Sequence, residues 1–130
     1  MLRVLIVEDN LEIQELLTAV LKPYFETHAE ENGKAGYKAV KEFQPDLIIV
    51  DANIPIIDGF SLCKMLKDDF KTRHVRIVIY TAAYATQEGR TLSLHAGADA
   101  FITKPARMTE LLDCIFRLLD IDPPTEFPHT

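Results

Sequence analysis

Short apolar runs alternate along the chain with stretches whose apolar residues recur three or four positions apart. Arg3-Val4-Leu5-Ile6-Val7 reads as a buried strand that stops at Glu8-Asp9-Asn10. Ile13, Leu16, Leu17, Val20 and Leu21 then take helical spacing, with Glu12, Gln14 and Glu15 between them and Pro23 beyond. Phe25 to Glu30 is a fainter strand. Asn32-Gly33 breaks the chain, and Gly36, Ala39, Val40 and Phe43 give a second helix ended by Pro45. Leu47–Val50 is the most strongly marked strand, apolar on both faces as a central parallel strand must be. A loop runs from Asp51 to Gly59, and Phe60, Leu62, Cys63 and Leu66 spell a third helix. Val75 to Tyr80 is a fourth strand, ending in Thr81-Ala82-Ala83. Gln87 to His95 is a helix with a thin stripe (Leu92, Leu94) and a natural stop at Gly97. Ala100-Phe101-Ile102 is a fifth strand before Thr103-Lys104-Pro105, and Leu111, Leu112, Ile115, Phe116 and Leu119 form the last helix.

Strand and helix thus alternate five times. That order predicts the α/β class: a doubly wound, five-stranded parallel sheet with helices on both faces and right-handed crossovers. The expected domain is residues 1–120. Residues 121–130 carry Pro123, Pro124 and Pro128 without apolar periodicity, and read as a linker or tail.

Composition narrows the class. The 130 residues suit one domain, and 48% apolar with 26% charged residues excludes disorder. Fourteen basic residues against 20 acidic ones leave a net charge of −6, so direct nucleic-acid binding is not expected. The run Leu47–Val50 is stopped by Asp51, and no stretch reaches the length of a membrane span. Glu8-Asp9 comes too early for a signal peptide. Cys63 and Cys114 stand far apart with no Cys-x-x-Cys, which excludes a disulfide scaffold and a structural zinc site and fits a reducing cytoplasm.

The candidate chemistry stands at the strand ends, where open parallel sheets bind ligands. Glu8 and Asp9 follow the first strand, Asp51 the third, Thr81 the fourth and Lys104 the fifth. Converging carboxylates repel one another unless a cation is shared, and an all-oxygen set suits Mg²⁺. Mg²⁺, a lysine and a hydroxyl make a clamp for a phosphoryl group, and a carboxylate among them can become an aspartyl phosphate. Each residue alone has a blander reading. An acid after a strand is usually a helix cap or solvated turn, and that reading suits Asp9 or Asp58. Asp51 is harder to dismiss, because it ends the most apolar strand. His28, His74, His95 and His129 are scattered and read as surface or strand histidines. Tyr24, Tyr37, Tyr80 and Tyr84 form no stacking platform. A phosphatase of the haloacid dehalogenase type would also use a strand-end Asp, but it wants a second acid where Asn53 stands. A partner-binding domain without phosphorylation would have lost Asp51, the acidic pair or Lys104. A flavodoxin-type site would need a Ser/Thr-Gly-rich loop after the first strand.

Four segments carry a family likeness: Val4-Leu5-Ile6-Val7-Glu8-Asp9-Asn10, Asp51-x-x-x-Pro55-x-x-Asp58-Gly59, Thr81-Ala82, and Gly97-Ala98-Asp99-x-Phe101-Ile102-x-Lys104-Pro105. With them the chain, from Met1 to about Leu119, resembles a response-regulator receiver domain of two-component signalling. The resemblance implies the flavodoxin-like strand order 2-1-3-4-5. It implies that Asp51 is the phosphoacceptor, that Glu8, Asp9, Asp51 and the Asn53 carbonyl hold Mg²⁺, and that Thr81 is the switch hydroxyl. Lys104 is implied to pair with a phosphoryl oxygen, ahead of a cis bond to Pro105, and Phe101 to be the switch aromatic. The implied partners are a histidine kinase or phosphotransfer protein and a downstream output domain or protein. A homodimer through the face of the fourth helix, fifth strand and fifth helix belongs to the same set. Ile54 in place of Met, Glu8 in place of Asp and Phe101 in place of Tyr are departures from the common pattern. Tyr80 to Thr86 resembles receivers at the start of PAS and histidine-kinase chains, which makes a longer parent protein the expectation.

Overall fold

The computed structural model describes residues 1–83 and 86–123, so Tyr84 and residues 124–130 of the expected tail lie outside the described residues. The elements are β1 (Arg3–Val7), α1 (Leu11–Leu21), β2 (Glu26–Glu30), α2 (Gly33–Phe43), β3 (Leu47–Val50), α3 (Gly59–Asp68), β4 (Arg76–Thr81), α4 (Gln87–Ala96), β5 (Ala100–Thr103) and α5 (Met108–Leu118). All strand pairs are parallel, in the order β2-β1-β3-β4-β5. The reversal of order between β1 and β3 opens a crevice at their carboxyl ends, the usual ligand place in such a sheet.

The period of two in the strands divides the core. Val4 and Ile6 join Leu17, Leu21, Leu111, Leu112, Ile115 and Phe116 on the α1 and α5 face. Leu5 and Val7 join Val40, Ile48, Leu62, Leu66, Ile77 and Ile79 on the α2, α3 and α4 face. Both thiols are buried, and burial pushes that of Cys63 up to about 12, so each packs as a small apolar side chain.

Several helices begin earlier than the apolar spacing predicts, because polar caps begin them. Asn10 accepts from Ile13 N, Asn32 from Ala35 N and Asp58 from Ser61 N, each satisfying an otherwise orphaned donor. Asn32-Gly33 is therefore the start of α2, not a break before it. Gly33 is required there by close approach: a Cβ would run into the carbonyl oxygen of Ile57. Gly59 is required likewise, since a Cβ would collide with the carbonyl oxygen of Asp51, beneath the residue of greatest chemical interest. The fourth strand runs one residue later than expected, to Thr81, which pairs in register with Thr103 and is fully buried.

The β3–α3 loop contains a strained residue. Ile56 has φ +73° and is 71% exposed, so a β-branched side chain holds a left-handed conformation with little burial in return. That conformation costs an L-residue about 1–2 kcal/mol, while Asn tolerates it. Ile56→Asn is expected to raise stability by about 0.5–1 kcal/mol in urea denaturation. A lower midpoint would mean that the Ile56 side chain contributes more packing than its exposure allows.

Candidate functional site

The site is built where β1, β3, β4 and β5 end. Each strand delivers its polar residue just past, or at, its last paired position, and the backbone fixes those ends relative to one another. Asp51 N donates to Val7 O at 3.1 Å, and Lys104 N donates to Thr81 O at 2.9 Å. Asp51 sits at the centre. Its Oδ1 accepts from the Asn53 backbone N–H at 2.9 Å and the Thr81 hydroxyl at 2.6 Å. Its Oδ2 accepts from Lys104 Nζ at 2.9 Å. Lys104 also donates to Glu8 Oε1 at 2.5 Å, so one ammonium bridges two carboxylates. Glu8 Oε2 accepts from Asn10 N at 3.2 Å.

Burial makes these charges consequential. The side chains of Lys104, Glu8 and Asp51 are only 11%, 3% and 11% exposed. Burial raises the pKa of Glu8, and the negative charge of Asp51 adds to the rise; the bonds from Lys104 and from Asn10 N–H only partly oppose it. For Lys104, burial works to lower the pKa, but its bonds to Glu8 and Asp51 outweigh that and the group is raised. It stays an ammonium at neutral pH. Oxygen atoms of Glu8, Asp9 and Asp51 lie within 4.8 Å of one another, and Asp9 is the exposed member of the three. An all-oxygen, net-negative set with one open side suits Mg²⁺.

The structure thus brings together Glu8, Asp9, Asp51, Asn53, Thr81 and Lys104. The Thr81 hydroxyl is already on Asp51. Phe101 stands apart from the cluster. It pairs in register with Ile79, two positions before the Thr81–Thr103 pair, half-buried beneath the Arg90 guanidinium at 5.6 Å from its ring. The Lys104-Pro105 bond is cis. Of the histidines, His28 pairs with Glu30 at 2.7 Å on β2, the edge strand beside β1. Tyr80 was not legible as part of the site. Its ring lies under Lys104, with Nζ 5.2 Å from the centroid, and an aromatic residue in an apolar strand gives no sign of that.

The response regulator receiver domain, as a family model, matches residues 4–116. This chain belongs to that family. Receiver domains are signalling domains, and this one is 36% identical over 111 residues to the DNA-binding response regulator MtrA of Mycolicibacterium paratuberculosis. The match covers 85% of this chain and 48% of MtrA, so the chain spans about half the length of that relative. DNA binding is stated of the whole of MtrA, and the acidic balance here speaks only for this segment. The receiver domain of a signal transduction histidine kinase from Syntrophus aciditrophicus superposes with a TM-score of 0.86 at 32% identity, covering 100% of this chain and 98% of that one. The receiver domain of a sensor histidine kinase from Pseudomonas aeruginosa superposes with a TM-score of 0.83 at 27% identity, covering 92% and 98%. That structure is described with a magnesium ion coordinated in its active site cleft. Among the described residues, no helix is long and apolar enough to cross a membrane.

Proposed function

We propose that this receiver domain is a phosphorylation switch in which Asp51 accepts a phosphoryl group from a histidine kinase or phosphotransfer protein. The reading rests above all on the environment of Asp51: one oxygen held by Lys104, the other by a hydroxyl and a backbone N–H. Glu8, Asp9, Asp51 and the Asn53 carbonyl would hold Mg²⁺, which supplies charge neutralisation to the transferring group. A carboxylate oxygen of Asp51 forms a new P–O bond as the donor's bond to phosphorus breaks, and the leaving group keeps that electron pair. Lys104 and Thr81 then face phosphoryl oxygens in place of the bare carboxylate. The altered contacts at Thr81 bias β4 and β5, and through Phe101 the face formed by α4, β5 and α5. An output domain or protein, or a second copy of the chain, reads that face. Residues 1–120 carry this activity, residues 121–130 link it to an output module, and the cytoplasm is its place.

The test is intact-protein mass spectrometry with a small acylphosphate donor. One phosphoryl adduct should form with Mg²⁺ and not with EDTA, and hydroxylamine, which cleaves acyl phosphates but not phosphate esters, should remove it. No adduct, or a hydroxylamine-resistant one, overturns the reading.

Asp9 tests the metal arm. It is exposed and adds a third negative charge to a cluster whose single ammonium is already shared by Glu8 and Asp51. Asp9→Asn is expected to raise the melting temperature in EDTA, by relief of like-charge repulsion. The same change should weaken Mg²⁺ binding by at least about tenfold, the cost of losing even an outer partner of a metal. A lower melting temperature in EDTA would contradict the repulsion argument.

A further inference from the structure

Tyr80 occupies an inward position of β4 in register with Ile102, next to Thr81 in sequence but on the opposite sheet face. The residues before it, Ile77, Val78 and Ile79, are aliphatic, and another aliphatic side chain would close that part of the core as well. Tyrosine brings one thing an aliphatic residue lacks. Its ring presents a π-face to the Lys104 ammonium at 5.2 Å, in a site where both partners are largely desolvated.

We propose that Tyr80 is a positioning residue for Lys104: the ring holds the ammonium over the crevice. Lysine needs such help, because its flexible four-carbon stem has many rotamers and its head is a strongly hydrated point charge. In the resting chain Glu8 and Asp51 also hold that head. Once Asp51 is phosphorylated and a cation shares the acids, those two attractions weaken, and the ring is the contact that does not change. Lys104 therefore stays aimed at the phosphoryl oxygen instead of swinging to water. The inference rests on the phosphoacceptor reading for its consequence, but not for the contact itself.

A fluorination series at position 80 separates the ring's charge from its shape. Phenylalanine and its mono-, di- and trifluoro forms drain the π-face stepwise with little change in size. The phosphorylation rate with a small acylphosphate donor at saturating Mg²⁺ should fall along the series by about tenfold overall, the scale of a desolvated cation–π contact. Melting temperatures measured alongside should stay together. Equal rates across the series overturn the proposal. The second measurement needs no variant and no phosphate: in the metal-free wild-type chain, ring current should move the Lys104 ε-methylene protons upfield. Unshifted protons overturn the proposal too. A wild-type chain that takes up no phosphoryl group overturns the phosphoacceptor reading instead, and the ring-current shift then decides the Tyr80–Lys104 contact alone.

Discussion

Asp51→Asn is expected to abolish the hydroxylamine-sensitive phosphoryl adduct completely. The substitution keeps the shape of the side chain and much of its bonding. A carboxamide oxygen can still accept from Asn53 N–H and the Thr81 hydroxyl, as Oδ1 does now. The second oxygen is what cannot be replaced. An amide NH₂ in its place points donors at the Lys104 ammonium, where Oδ2 now accepts at 2.9 Å. A neutral amide also has no anionic oxygen to offer phosphorus, so neither the attack nor the acyl phosphate is available to it. Asp51→Glu is the companion: its extra methylene moves the carboxylate by roughly 1.5 Å, enough to lose the alignment with Lys104 and Thr81 together. Mass spectrometry of both variants, with Mg²⁺ and the small donor, reads the result. An adduct that survives Asp51→Asn and disappears in Asp9→Asn would move the acceptor to the neighbouring acid.

The sequence was most legible where burial is two-sided. Leu47–Val50 and Val4–Val7 are continuous apolar runs because both faces of a central parallel strand are covered, and the polar residue after each run marks the crevice. Glu8 and Asp51 could be placed for that reason, and so could the alternation that defines the fold. Helix starts were less legible. Asn10, Asn32 and Asp58 begin helices through single side-chain bonds to backbone N–H groups, and apolar spacing does not register them. Thr81 extended β4 by one residue for a similar reason: its pairing with Thr103 depends on a strand distant in sequence. Tyr80 was invisible as a site residue because its meaning depends on where Lys104 places its charge. A tyrosine at the end of an aliphatic strand reads as core, which it also is.

Lys104→Met is expected to lower the stability of the metal-free chain by about 3 kcal/mol at neutral pH, the low end of the cost of stripping a buried ion pair of one partner. The methionine fills a similar volume, so the loss measures charge more than packing. It leaves Glu8 and Asp51 facing each other without the ammonium that now donates to both. Glu8 bears most of the consequence. Its pKa already stands above the ordinary 4.5 because of burial, and the bond from Lys104 is among the contributions that hold it down. Without that bond the folded variant binds a proton more readily than the unfolded chain does. By linkage, the deficit is small below the unfolded value of 4.5 and grows as pH rises through the higher folded value. Urea melts of wild type and variant in EDTA at several pH values check this, and a deficit that is flat with pH would mean that Lys104 does not stabilise the Glu8 charge. Adding Mg²⁺ should narrow the gap, because a cation bound among the same carboxylates takes over part of the neutralisation. The double variant Glu8→Gln, Lys104→Met isolates the pair: its loss should be less than the sum of the two single losses, since each single change orphans a buried group that the double change removes.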